Sequence, residues 1–176
     1  MILGVVLAGG QSSRFGSDKA LAELGGCTLL ERAFAALADH CEDVVVAGRE
    51  DGPGRCIADW PRAGMGPLGG IAAGLHLARD ESYASVLTCG VDSVDLPEGL
   101  LELLSPAPAY FADQPVVGHW PAGAVGEVER ILEGTGRHSM LAFASTINAR
   151  AVKTAAASAN INTPADLTAA ERRHGI

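Results

Sequence analysis

Apolar positions come in short, separated runs along this chain, and their spacing sorts them into strands and helices. Ile2 to Leu7 is a Val-rich apolar run of six, too short for a helix core, and reads as a buried parallel strand. Asp43 to Ala47, with Val44, Val45 and Val46, predicts a second such strand, and Ala84 to Cys89 another. Arg55 to Ala58 adds a shorter one, and Ala20 to Leu24 predicts a short strand turned by Gly25 and Gly26. Between the strands the period changes. Leu29, Leu30, Ala33, Phe34 and Leu37 share one helical face running to about Asp39, behind a capping box of Thr28 and Glu31. Pro67 opens a helix to about Arg79, in which Gly70 and Gly74 lie four apart and leave one face open to a strand or a ligand.

The second half is patterned less sharply. A short helix near Pro97 to Leu104 is followed by a break at Ser105 to Pro108. Ala109 to Ala112 and Pro115 to Trp120 are expected as strands. Val125, Val128, Ile131 and Leu132 predict a helix over Ala122 to Leu132, ended by Gly134. Arg137 and His138 are expected to begin another short helix through Phe143, as a solvated basic pair. Thr154 to Ala159 reads as a small-residue linker, and Thr163 caps a helix that Pro164 starts. Strands alternating with helices in this way predict an α/β fold on a mostly parallel sheet.

Composition narrows this. The 176 residues suit one domain, 1–176. A net charge of −8 and the lack of a basic run argue against a nucleic-acid partner. Phosphate would have to be held by local groups, not by a global positive field. No apolar run approaches membrane-spanning length and no signal peptide is read, so a cytoplasmic protein is expected. Cys27, Cys41, Cys56 and Cys89 are too scattered for a metal motif and read as buried, reduced thiols. Trp60 and Trp120 read as packing residues.

Three places carry chemistry. After the first strand come Leu7-Ala8-Gly9-Gly10, then Gln11-Ser-Ser-Arg14-Phe15-Gly16-Ser17-Asp18-Lys19. The glycines free the backbone, small residues expose N–H groups, and Arg14 and Lys19 supply cations: a loop suited to a chain of phosphates. Its spacing is neither that of a dinucleotide-binding turn nor that of a P-loop. The second place is Asp59 to Leu75, a Gly-rich stretch containing Gly66 and Gly70 that reads as a nucleotide pocket wall with the Asp59 carboxylate beside it. The third is Asp92, just past the carboxyl end of a buried strand, where open parallel sheets bind ligands. A carboxylate there suits Mg²⁺, whose remaining ligands are phosphates and waters. Asp95 is a weaker candidate, read first as a helix cap.

LAGGQSSRFGSDKAL resembles the signature loop of nucleotidyltransferases, and its LAGG and DK elements resemble the molybdenum cofactor guanylyltransferases. GPLGGIAAGL is similar to that superfamily's second motif, and the resemblance puts Asp59 where guanylyl members place a base-contacting acid, which would accept hydrogen bonds from the N1–H and 2-amino group of guanine. NINTPADL, Asn160 to Leu167, is similar to the guanylyltransferases' C-terminal motif. The resemblance implies a three-layer α/β/α sandwich, a Rossmann-like sheet of the nucleotide-diphospho-sugar transferase type, with a GTP-binding half (1–104) and an acceptor-binding half (105–176). It implies GMP transfer from GTP to the molybdopterin cofactor, with Mg²⁺ on Asp92. Lys19, Arg14 and Asp92 would be catalytic. Leu7, Ala8, Gly9, Gly10, Lys19, Asp59, Gly66 and Gly70 would bind GTP, and Asn160 and Asn162 the pterin acceptor. No nucleic acid or membrane is implied, and transient contact with other cofactor-biosynthesis proteins is.

The chain departs from the family pattern at Phe15 for Met, at Gly48 for Asn, and around Asp92, where Val91 and Val94 replace Cys and Pro and Asp95 replaces an apolar residue. Two alternatives stand beside the main reading. One is the same chemistry with another base or acceptor, as in cytidylyl transfer to the cofactor or sugar-phosphate nucleotidyl transfer. The other is a non-catalytic nucleotide-binding relative.

Overall fold

The structure, a computed structural model, describes residues 1–10, 15–154 and 160–176. In chain order the elements are β1 (Ile2–Leu7), β2 (Glu23–Leu24), β3 (Cys27–Thr28), α1 (Leu29–Ala38), β4 (Asp43–Ala47), β5 (Arg55–Ile57) and α2 (Pro67–Asp80). There follow β6 (Ser85–Gly90), α3 (Leu100–Leu103), β7 (Ala109–Phe111), β8 (Gln114–Pro121), α4 (Val125–Glu133), α5 (Met140–Thr146), β9 (Arg150–Val152) and α6 (Pro164–His174). Seven strands form one sheet in the order β5-β4-β1-β6-β8-β7-β9. The pairs β5–β4, β4–β1, β1–β6 and β7–β9 are parallel, whereas β8 runs antiparallel to both neighbours.

Side chains alternate across β1, so the sheet needs a helical layer on each face. Leu3 and Val5 pack with Leu68, Ile71 and Leu75 of α2, Val128 of α4 and Phe143 of α5. Val6 points the other way, among Leu30, Ala33 and Leu37 of α1 and Leu100 of α3. The three-layer α/β/α architecture follows. At Gly74 α2 lies tight against the sheet: a Cβ there would sit 2.6 Å from Val5 Cγ2. A third cluster joins Leu24, Leu29 and Val94 to Ile161 and Ala170, tying the C-terminal segment to the first half of the chain.

The capping boxes at α1 and α6 form, Thr28 with Glu31 and Thr163 with Asp166. Other expectations change. Residues 20 and 21 are not strand: Lys19–Leu21 is a 3-10 turn capped by the Asp18 carboxylate, and only Glu23–Leu24 pairs with β3. Arg137 and His138 precede α5, because the Ser139 hydroxyl accepts from Ala142 N and starts the helix one residue later. Asp95 caps no helix, since Gly99 caps the single turn of α3. Strand β9 was not foreseen. Of the thiols only Cys89 is fully buried, and Cys27 is exposed. Trp120 is fully buried, its indole N–H donating to Thr88 Oγ1 at 2.9 Å, and Trp60 packs on His76. No helix among the described residues is long and apolar enough to cross a membrane.

Candidate active site

The sheet order reverses at β1. The chain leaves it for β4 on one side and returns through α2 to β6 on the other, so a crevice opens beyond its carboxyl end. Register fixes what lines the crevice: Leu7 stands level with Ala47 of β4 and Gly90 of β6. Gly9 and Gly10 therefore emerge between Gly48 on one flank and Asp92 on the other. A cavity of about 210 Å³ is lined there by Leu7, Gly9, Gly10, Asp59, Gly66, Gly70, Gly90, Asp92 and Val116, among others. Adjoining hollows share Gly10 and extend past Ala8 to Asp18, Lys19 and Arg49.

Lys19 and Asp92, 73 residues apart in sequence, meet in this crevice, with Lys19 Nζ donating to Asp92 Oδ2 at 3.2 Å. Both side chains are partly shielded from water. The other oxygen, Asp92 Oδ1, lies in space that only a glycine leaves free: a Cβ on Gly90 would meet it at 2.5 Å. Magnesium keeps several waters and takes one or two protein carboxylates plus phosphate oxygens. Among the described residues no group of three or more His, Cys, Asp or Glu could hold a metal by itself. One partly exposed carboxylate facing a phosphate-sized hollow fits a magnesium–nucleotide complex and does not fit a closed protein cage.

Asp59 occupies the opposite wall, ringed by glycines. Cβ atoms on Gly9, Gly48, Gly69 and Gly70 would fall 3.1, 3.2, 3.2 and 3.4 Å from its atoms. Burial pushes its carboxyl above the ordinary aspartate range. Two acceptor oxygens on an apolar pocket wall gain most from two donors on one ligand edge. Gly66, with φ +69°, turns the chain into α2, and Gly70 lies over Leu7.

Asn160 and Asn162 are exposed on either side of the buried Ile161 and line none of these hollows. They are nonetheless held beside Asp92. Asn160 bridges to Ser93, and Ile161 N donates to Asp92 O at 3.1 Å. Arg14 lies outside the described residues, as does most of the 154–159 linker.

Two charged groupings were missed by sequence reasoning. Arg49 is only 14% exposed and pairs with Asp18 at 2.8 Å. Its one available signal was a basic residue one glycine past the end of a strand that borders the glycine loop. Asp95, with φ +61°, pairs with His174 at 2.7 Å and Arg173 at 3.7 Å across the fold, and no local pattern announces that.

Residues 4–152 match the family of MobA-like NTP transferase domains. Over 182 residues the chain is 36% identical to a protein of Acidiphilium cryptum (strain JF-5) named molybdenum cofactor guanylyltransferase, covering 95% of this chain and 92% of that one. A Rhodobacter capsulatus protein of the same name is 33% identical over 184 residues, covering 98% and 96%. Among solved structures, molybdopterin-guanine dinucleotide biosynthesis protein A from Archaeoglobus fulgidus superposes with a TM-score of 0.76 at 20% identity, over 98% of each chain.

Proposed function

Because the chain belongs to the MobA-like NTP transferase family, we propose that it transfers GMP from GTP to the molybdenum-bound molybdopterin cofactor, forming the molybdopterin guanine dinucleotide cofactor and pyrophosphate. The enzyme is a nucleotidyltransferase. One observation carries the assignment of this chemistry to residues: the Lys19 ammonium and the Asp92 carboxylate lie 3.2 Å apart at a glycine-lined crevice.

No protein nucleophile is needed. The acceptor's terminal phosphate is already ionised at neutral pH, and its oxygen attacks the α-phosphorus of GTP. A new P–O bond forms as the bond to the β-phosphate oxygen breaks and pyrophosphate leaves with the electron pair. Rate then comes from alignment and from neutralising charge on the phosphates. Lys19 would hold the leaving pyrophosphate, and the backbone N–H groups past Gly9 would fix the chain of phosphates. Arg14 would add a second cation. Asp92 would hold Mg²⁺, which when bound offsets phosphate charge and orients the nucleotide. Asp59 would accept from N1–H and the 2-amino group of guanine, a donor pair that cytosine and uracil lack. Leu7, Ala8, Gly66 and Gly70 would form the walls around base and ribose. Residues 1–104 would thus handle GTP and 105–176 the acceptor, with Asn160 and Asn162 offering donors and acceptors to the pterin edge.

The test is pyrophosphate release with molybdenum-loaded molybdopterin, Mg²⁺ and each of GTP, ATP, CTP and UTP. GTP should support release and yield the guanine dinucleotide, with the others at least about tenfold slower. Equal rates with CTP would move the base assignment. GTP binding without release would leave a nucleotide-binding relative that has lost catalysis.

A further inference from the structure

We propose that Asp18 and Arg49 form a clamp that positions Lys19 for the phosphates, an inference that rests on the reading of Lys19 as the phosphate-binding cation. Asp18 divides its carboxylate between two elements. Oδ1 accepts from Ala20 N at 3.1 Å and caps the 3-10 turn that begins with Lys19. Oδ2 takes the guanidinium of Arg49, Nη1 to Oδ2, at 2.8 Å. The turn is closed by Leu21 N to Asp18 O and Ala22 N to Lys19 O, both 3.1 Å, and its middle residue Ala20 is buried against the sheet. The lysine backbone therefore has little freedom once Asp18 is fixed.

Arg49 is itself launched from a fixed point. Its neighbour Gly48 lies so close to the β1 loop that a Cβ on it would meet Gly9 Cα at 2.5 Å. The arginine also donates from Nε to Asp51 O at 3.4 Å. The carboxyl-end loops of β1 and β4 are thus joined by backbone contact and by a charge pair, and the pair ends on the turn that aims Lys19 at Asp92. The clamp also answers an electrostatic problem. A bare Asp18 beside a triphosphate would repel it, and a paired one does not. A guanidinium suits the task better than an ammonium, because its rigid fork can bond Asp18 and the Asp51 carbonyl together.

A set of mutant cycles in the full-length protein tests this. Arg49→Met and Asp18→Asn are made alone and together, and Arg49→Met also in a Lys19→Met background. Asparagine keeps the capping oxygen, so Asp18→Asn removes only the charge pair. Pyrophosphate release gives kcat and KM, calorimetry gives Mg·GTP affinity without the pterin acceptor, and melting temperature reports the fold.

Each single variant should lose about tenfold to a hundredfold in kcat, the range expected when a catalytic group is displaced by around an ångström. Mg·GTP affinity should fall by about threefold to tenfold, less than kcat, because a displaced Lys19 also loosens its hold on the bound triphosphate, and Arg49→Lys should recover part of both losses. The Asp18→Asn/Arg49→Met double should be no worse than the poorer single, and Arg49→Met should cost under about twofold once Lys19 is gone. Losses that multiply in the first double, or a tenfold loss that persists without Lys19, would overturn the clamp and place Arg49 directly on the nucleotide. If wild type binds Mg·GTP but transfers nothing, the functional reading fails, and the same cycles on GTP affinity still decide the clamp: non-additive losses uphold it, additive losses overturn it.

Discussion

Restoring asparagine at position 48, where the family pattern carries it, should damage this protein. Gly48 has φ +83°, a region that glycine enters freely and that costs an L-residue about 1 kcal/mol, asparagine included. The larger cost is contact. The new Cβ would lie 2.5 Å from Gly9 Cα, 2.8 Å from Gly9 N and 3.2 Å from Asp59 Oδ1. Two of those neighbours are backbone and cannot rotate away. Forcing a group into filled space costs about 1–3 kcal/mol. Together the terms give about 3 kcal/mol for Gly48→Asn. At about 3 °C per kcal/mol for a chain of this size, the melting temperature falls by roughly 9 °C. Relief by moving the β1 loop would carry Gly9 and Gly10 away from the phosphates they are proposed to hold, so KM for GTP should rise as well. Differential scanning calorimetry and steady-state pyrophosphate release measure both effects. An unchanged melting temperature with a lower KM would refute the steric argument and show that the crevice has room for the amide.

Asp92→Asn should abolish turnover with the melting temperature within about 2 °C of wild type, because the side chain is partly exposed and near-isosteric; substantial activity would move the metal elsewhere. Lys19→Ala should lower kcat/KM about a hundredfold, and a loss under threefold in steady-state assays would contradict its place on the phosphates. Asp59→Asn should separate stability from binding. Burial raises the folded pKa of Asp59, so the native state binds more protons between the ordinary aspartate value and that raised one, and stability falls as pH rises through the window. The variant should therefore melt higher than wild type at neutral pH. It should also bind GTP some thirtyfold more weakly, about 2 kcal/mol for a charged hydrogen-bonding partner. Wild-type GTP affinity should decline as pH drops towards the raised Asp59 value, and a decline of equal size in Asp59→Asn would assign it to another group.

What could be seen in the sequence was local, and what could not be seen depends on partners far away in the chain. The strand Ile2–Leu7, the capping box at Thr28 and the Pro67 start of α2 are written in adjacent residues, so periodicity and cap chemistry found them. The meeting of Lys19 with Asp92 came from motif resemblance; no spacing argument spans 73 residues, and register between β1 and β6 is what brings them together. Asp18 shows the limit well. Its neighbours suggested a strand, but one carboxylate oxygen on Ala20 N stabilises a turn instead. Arg49 reads as a loop residue until Asp18 is placed beside it. Strand β9 has three residues and gains its identity only by pairing with β7.

The departures around Asp92 follow the same logic, and they answer one another. A proline at position 94 would stiffen the loop from within; Val94 holds it from outside, 7% exposed in a cluster with Leu24, Leu29, Ile161 and Ala170. Asp95 lies on the far side of that anchor in a left-handed conformation, which its ion pair to Arg173 and its contact with the His174 ring at the end of α6 oppose releasing. At the other end of α6 the Thr163–Asp166 box fixes the segment whose Ile161 N bonds to Asp92 O. One helix therefore grips the Asp92 loop at both of its own termini. The pairs to Asp95 are half exposed and individually weak, so the apolar cluster carries most of the hold and the charges set its direction. Rigidity that the family pattern places in a proline ring is supplied here by packing between the two ends of the chain. The carboxylate assigned to the metal and the asparagines assigned to the acceptor consequently sit on one mechanical unit, which is what alignment of an attacking phosphate with its target requires.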